Sequence, residues 1–264
     1  MKKNEVKAKL KRGEPSIGTW LSLPDPTAAL LLANVGFDWL TLNLEHMPIG
    51  VETAALSYAA IAGAGTVPLA RVAWNTGENI KRVIDNGGWG VVIPMVCTKS
   101  EAEMAVENTF YGPLGARAVG GMLHAVNFGT EPAEYYEKAN DEILLVVQME
   151  HIKAVENADE ILSVPGIDAF FVGPNDLLKS MGRKPVWDSD DQAFLDALTH
   201  LKTTARKYGV ASGIHVASAD FAKLRSEEGF QFIAIASEAG MMLSKAQEIA
   251  TALNLGSGRT VGKY

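Results

Sequence analysis

The sequence predicts a closed (β/α)8 barrel. Three observations carry that expectation. Eight short apolar runs alternate with eight helical patterns along the chain, glycines stand where helices should hand over to the next strand, and no break in composition divides the chain. With 264 residues, 47% of them apolar, the chain suffices for one such barrel with a large core over residues 1–264. A doubly wound open sheet is the alternative, because periodicity cannot show closure.

The strand runs come in order at Ile17–Leu21, Trp39–Asn43, Val67–Arg71, Gly90–Pro94, Leu144–Gln148, Ala169–Val172, Val210–Gly213 and Phe232–Ile235. Most are continuous apolar runs, as parallel strands covered on both faces require. Helical patterns fill the gaps at Thr27–Ala33, Glu52–Ala62, Glu78–Asn86, Ser100–Asn108, Ala154–Leu162, Gln192–Tyr208, Ser218–Glu228 and Met241–Leu253. Gly36, Gly87, Gly166, Gly209 and Gly229 follow helix ends, where a left-handed residue is needed. The basic stretch Lys2–Arg12 interleaves Lys with Glu and Ala and reads as a solvated first helix. The connection over residues 110–142 interrupts the rhythm with Tyr111-Gly112-Pro113, Gly115, Gly120-Gly121 and a short helix near Pro132–Ala139. Connections of that length are usually functional loops or subunit contacts. Pro185–Asp191 is a second candidate lid, and residues 254–264 read as a flexible tail or one docked on a partner.

A net charge of −7 argues against nucleic acid or an anionic membrane as partner. No uninterrupted apolar stretch is long enough to span a bilayer. The first residues lack the apolar core and cleavage site of a signal peptide. The one cysteine, Cys97, excludes an intrachain disulfide framework and suits a reducing compartment. A cytoplasmic, enzyme-sized domain is expected.

Barrels of this kind carry their chemistry at the carboxyl ends of the strands. That rim should hold Trp20, Asn43 to His46, Arg71, Met95, Gln148 with Glu150, Asn175-Asp176, His215 and Ser237-Glu238. Glu150 and Asp176 close neighbouring apolar runs. Two such acids can hold a hard divalent cation and leave positions open for substrate oxygens and water. Arg71 ends an otherwise apolar strand and needs an anionic or carbonyl partner. Glu45 or Glu150 would serve as an ion pair, and a substrate carboxylate or enolate oxygen as the functional partner. His46, directly after Glu45, suits a general base near neutral pH. His215 is expected just past the seventh strand, bonded to a backbone carbonyl, while His124, His151 and His200 should be solvated. Gly173-Pro174-Asn175-Asp176 can open a helix whose N–H groups suit a carboxylate.

Absences narrow the chemistry. No lysine falls inside a proposed strand, and Lys153 lies in the turn past the fifth, so a Schiff-base mechanism lacks its nucleophile. No glycine-rich phosphate loop follows the last two strands, which disfavours a phosphorylated substrate or pyridoxal phosphate. Cys97 reads as a small core residue.

Gly36-Phe37-Asp38-Trp39 leading to Glu45-His46-Met47-Pro48, Pro94-Met95-Val96, Gln148-Met149-Glu150 and Gly173-Pro174-Asn175-Asp176-Leu177 together resemble one family. It is the metal-dependent pyruvate (hydroxy-keto-acid) aldolase family of the phosphoenolpyruvate/pyruvate barrel superfamily. Its members include 2,4-dihydroxyhept-2-ene-1,7-dioate aldolase, the 2-keto-3-deoxy-sugar-acid aldolases and, more distantly, macrophomate synthase. The resemblance runs from Gly18-Thr19-Trp20 to the last helix. It implies that Glu150 and Asp176 hold Mg²⁺ or Mn²⁺, with Co²⁺ or Zn²⁺ possible. It also implies that Arg71 stabilises an enolate, that His46 is the acid/base, and that Asp85 supports the site from behind. Gln148 and the backbone of Gly173 and Asn175 would meet the substrate carboxylate, with Pro174 between them at the substrate and Trp20 and Phe171 as walls. Homotrimers or homohexamers that exchange the last helix, here Met241–Leu253, are implied too.

This chain departs from the family pattern at three places. Asn43 stands where the family has an aspartate paired to the histidine. Asparagine cannot stabilise an imidazolium by charge, so removal of the aldol hydroxyl proton should work differently. His215 replaces an apolar residue on the aldehyde side, and Arg117-Ala118 replaces Arg-Gly. The resemblance implies a carbon–carbon lyase that cleaves a 4-hydroxy-2-oxo acid to pyruvate and an aldehyde through a metal-bound pyruvate enolate. The alternatives are oxaloacetate decarboxylation or macrophomate-synthase-like enolate chemistry and, from another class, a non-catalytic keto-acid-binding barrel.

Overall fold

The structure, a computed structural model, describes residues 1–255. Eight parallel strands close on one another in sequence order: β1 (Ser16–Leu21), β2 (Trp39–Asn43), β3 (Val67–Arg71), β4 (Gly90–Ile93), β5 (Leu144–Gln148), β6 (Ala169–Val172), β7 (Ala211–Val216) and β8 (Phe232–Ser237). The helices are α1 (Glu5–Lys11), α2 (Pro26–Ala33), α3 (Val51–Gly63), α4 (Gly77–Asp85), α5 (Lys99–Thr109), α6 (Leu123–Asn127) and α7 (Pro132–Glu142) in the first part of the chain. Then come α8 (Ile152–Glu156), α9 (Ala158–Leu162), α10 (Pro174–Ser180), α11 (Gln192–Tyr208), α12 (Ala219–Glu227) and α13 (Glu238–Ala252). The pairing of β1 with β8 excludes the open sheet.

Local chemistry explains the boundaries. Thr98 and Glu101 form a reciprocal capping box at the start of α5. Asp25, Thr76, Ser218 and Ser237 cap α2, α4, α12 and α13 through their side-chain oxygens. Gly209 ends α11 in the left-handed conformation, φ 70°, and the other four glycines expected to terminate helices also have positive φ. Inside the barrel, Trp39 stacks on Phe232 with ring centroids 4.2 Å apart. The Trp39 ring occupies the space beside Gly18 that any side chain there would fill.

The structure corrects several expectations. β7 and β8 run further than their apolar runs suggest, so His215 lies within a strand, level with Ala234. The pattern over Ala154–Leu162 is two short helices that meet at Asn157. The first helix is not simply solvated: Val6, Lys7 and Leu10 are buried. The Lys7 Nζ donates to the carbonyl of Ile143 at 2.6 Å and lies 3.0 Å from Asp168. His124 is fully buried, with its ring stacked on Tyr135 at 4.1 Å. His151 caps α8 by accepting the N–H of Lys153. Within the 110–142 connection Arg117 is buried and paired with Asp85 at 2.6 Å. Of the tail expected over 254–264, residues 256–264 lie outside the described residues.

Candidate active site

Strand register sets the rim. β2 and β3 pair Asn43 with Arg71, β5 and β6 pair Gln148 with Phe171, and β1 and β8 pair Trp20 with Ser237. A cavity of about 430 Å³ opens at this end of the barrel. Trp20, Asn43, His46, Arg71, Gln148, Glu150, Phe171, Gly173, Pro174, Asn175, Asp176 and His215 all line it, together with Ser22, Trp187, Ala236 and Ser237. Asp85 stands apart. It ends α4 and is tied to Arg117, which also donates to the Tyr135 hydroxyl.

Gln148 and Glu150 are two residues apart, and the Gln148 Nε2 donates to the Glu150 Oε2 at 2.8 Å. The N–H of Met95 donates to the other carboxylate oxygen at 3.2 Å. Met95 achieves this from φ 53°, a conformation few side-chain-bearing residues adopt. Glu150 is only 3% exposed. Burial, reinforced by the neighbouring charge of Asp176, pushes its carboxyl up to about 8, with Arg71 and the Met95 N–H opposing.

Asp176 sits in the first turn of α10, behind Gly173. A methyl group on Gly173 would lie 2.5 Å from the Glu150 Oε2 and 3.5 Å from the Asp176 Oδ2. The two carboxylates therefore face a common point that only a glycine leaves clear.

That geometry tests the fit of a divalent cation. A buried carboxylate beside a second one is costly unless a cation or a proton intervenes. The donors are hard oxygens, the type that Mg²⁺ and Mn²⁺ take. Among the described residues no group of three or more His, Cys, Asp or Glu side chains converges, so this pair would leave positions for water and substrate. The donor set fits. The buried Gln148 Oε1 has no partner, a further acceptor awaiting a donor inside the cavity.

Arg71 meets Glu45, its Nε 3.0 Å from the Oε2, and the same nitrogen donates to the Asn43 Oδ1 at 3.3 Å. Its guanidinium lies 4.6 Å over the Trp20 ring. The ion pair expected with Glu45 or Glu150 thus falls to Glu45. The Asn43 Oδ1 also accepts the His46 backbone N–H at 3.1 Å, while the His46 Nε2 lies 3.5 Å from the Glu45 Oε2. Glu45 is therefore shared between Arg71 and His46, bringing the histidine the negative charge that position 43 lacks.

His215 bonds through Nε2 to the carbonyl of Ala236 at 2.9 Å, as its sequence position suggested. Burial, with Arg71 adding to it, pushes the imidazole down to about 3. Trp187 crosses it edge to face, with centroids 4.4 Å apart.

Sequence reasoning missed Trp187, Ser22 and Ala236 as cavity residues. Only the lid reading of Pro185–Asp191 pointed near Trp187. It likewise missed the approach of Glu45 to His46 and the support that Met95 gives Glu150, although both residues stood in the rim motifs.

The description of the HpcH/HpaI aldolase/citrate lyase family matches residues 16–245. Over 249 residues the chain is 36% identical to a 4-hydroxy-2-oxo-heptane-1,7-dioate aldolase of Escherichia coli, covering 94% of each. Two crystal structures are also similar. An HpcH/HpaI aldolase from Desulfitobacterium hafniense superposes with TM-score 0.88 at 27% identity, over 97% of this chain and 98% of that one. A family protein from Burkholderia cenocepacia gives 0.87 at 31%, over 95% and 99%.

Proposed function

The chain belongs to the HpcH/HpaI aldolase/citrate lyase family, and on that premise we propose that it cleaves a 4-hydroxy-2-oxo acid to pyruvate and an aldehyde by way of a pyruvate enolate. It is an aldolase, a carbon–carbon lyase. The observation that carries the reading is the meeting of Glu150, Asp176, Arg71 and His46 around one cavity.

In the cleavage direction the C4 hydroxyl loses its proton and the C3–C4 bond breaks. The bonding pair moves towards the 2-oxo oxygen as the aldehyde leaves, and protonation at C3 gives pyruvate. Glu150 and Asp176 would hold a divalent cation, Mg²⁺ or Mn²⁺ by the chemistry of the donors, with Co²⁺ or Zn²⁺ as alternatives. Such an ion supplies Lewis-acid polarisation of the 2-oxo group. Arg71 turns its N–H groups to the developing enolate oxygen. The Gln148 amide, with one N–H already on Glu150, and the backbone N–H groups of Gly173 and Asn175, on either side of Pro174, receive the substrate carboxylate. Trp20 and Phe171 wall the cavity between this end and His215 and exclude water. His46 takes the hydroxyl proton through an ordered water, and Glu45 supports the resulting imidazolium. Asn43 acts by holding the His46 backbone and Arg71 in place, while Asp85 buttresses Arg117 outside the cavity.

Oxaloacetate decarboxylation is the second reading, favoured by the uncharged residue at position 43 because that route needs no hydroxyl deprotonation. The 3.5 Å approach of Glu45 to His46 weighs for aldol cleavage. A homotrimer or homohexamer is the proposed assembly: α13 and its C-cap Leu253 expose Met242, Leu243, Ile249 and the Leu253 side chain, which their own barrel does not cover. A cytoplasmic location follows the cysteine usage, and no helix among the described residues is long and apolar enough to cross a membrane. Pyruvate release from 4-hydroxy-2-oxo acids, measured with and without a chelator of divalent cations, tests the reading. Chelation should cost at least about a hundredfold in rate, and equal rates would overturn it.

A further inference from the structure

We propose that the half of the cavity lined by His215 and Trp187 is built for a neutral aldehyde that carries a hydroxyl group, and that these two side chains select it. The inference rests on the aldolase reading and names its second product.

His215 is the polar centre of this half. The Ala236 carbonyl, its Nε2 partner, can only accept, so Nε2 carries the ring proton. Ala236 sits at φ 47°, in the left-handed region, at the end of β8. With the ring neutral at physiological pH, Nδ1 is left as a bare acceptor. It has no hydrogen-bond partner among the described residues and is not one of the fully enclosed polar atoms. A substrate hydroxyl can donate to it. A carboxylate, itself only an acceptor, cannot.

Aromatic rings complete the pocket. Besides Trp187, Trp20 and Phe171 lie 5.9 and 6.3 Å from the His215 ring. Such faces suit the C–H groups of a short polyol or hydroxyaldehyde chain. Asp188, next to Trp187, lies within reach of the charge of Arg225.

Charge sets the selectivity against anions. Arg71 is the one lysine or arginine among the described residues that line the cavity, and it is already paired with Glu45. Behind Ser22 lies the buried Glu238 carboxylate, which accepts the N–H groups of Ser22 and Leu23. An aldehyde ending in a carboxylate would bring a second negative charge into a cavity wall with no free cation.

The test runs the aldol addition of pyruvate to glycolaldehyde, propanal and succinate semialdehyde. Glycolaldehyde should exceed propanal in kcat/KM by about tenfold, the ratio that one hydrogen bond of about 1.4 kcal/mol gives. Succinate semialdehyde should be the poorest acceptor. H215L should bring the glycolaldehyde-to-propanal ratio close to one, and H215Q, which keeps an acceptor, should restore part of it. A preference for succinate semialdehyde, or a ratio unmoved by H215L, overturns the proposal. Exchange of the pyruvate methyl protons in D₂O, followed by NMR on the unaltered protein, separates this failure from a deeper one. Exchange with the wrong acceptor preference sinks only the aldehyde assignment, whereas no exchange sinks the aldolase reading and this inference with it.

Discussion

Glu150 and His215 are both driven by burial towards their neutral forms, which moves the acid up to about 8 and the base down to about 3. For Glu150 the folded value lies above the ordinary 4.5. Between those two values the folded chain keeps a proton that the unfolded chain has lost. Stability of the cation-free protein therefore falls as pH rises from about 4.5 to about 8 and levels off above. Glu150→Gln should flatten that limb and make the chelator-treated protein more stable near pH 8 by about 2–4 kcal/mol, a discounted share of about 1.36 kcal/mol per unit. Added Mg²⁺ should reverse the order by stabilising only the unaltered chain. Denaturant titrations at several pH values read this. An identical pH slope for the two proteins would refute it.

At the scale of elements, the ends of strands and the starts of helices carry the site. β6 passes through Gly173 into α10, and the missing side chain at that junction lets Asp176 and Glu150 face one point. Gly173→Ala would press a methyl against the Glu150 Oε2 and force the carboxylate aside. Divalent-cation affinity by calorimetry should drop roughly 10- to 100-fold, the usual consequence of disturbing a ligand's support, with thermal stability nearly unchanged. Wild-type affinity in that variant would show that the acids do not share an ion. The Met95 amide steadies the same carboxylate from the opposite side, from the loop after β4.

At the scale of the whole molecule, α1 closes the end of the barrel opposite the cavity. Asn4 caps the helix, donates to the carbonyls of Trp89 and Glu142, and takes its N–H to the Glu142 side chain. Lys7 is buried against the Ile143 carbonyl and Asp168, whose carboxylate also accepts the Leu145 N–H. Removing one partner leaves the other charge buried alone. Lys7→Met should cost about 3 kcal/mol, and pairing it with Asp168→Asn should recover part of the loss. Urea unfolding provides the measurement, and a loss below about 1 kcal/mol for the single variant would mean the pair contributes little to the fold. This end lies away from the cavity, so any change of activity at a temperature where both proteins are folded should be small.

The eight-unit order, the strand cores and the rim residues Glu150, Asp176, Arg71, His46, Gln148 and Gly173 were legible in the chain itself. Local periodicity and turn chemistry set them without reference to distant residues. Closure of β1 onto β8, the service of Glu45 to both Arg71 and His46, the burial of Lys7 and His124, and the arrival of Trp187 beside His215 were not. Each depends on segments far apart in sequence, and burial and contact are properties of the assembled barrel. The chain alone thus determined which groups stand on the rim, while only the tertiary structure decided what each one faces and in which protonation state it waits.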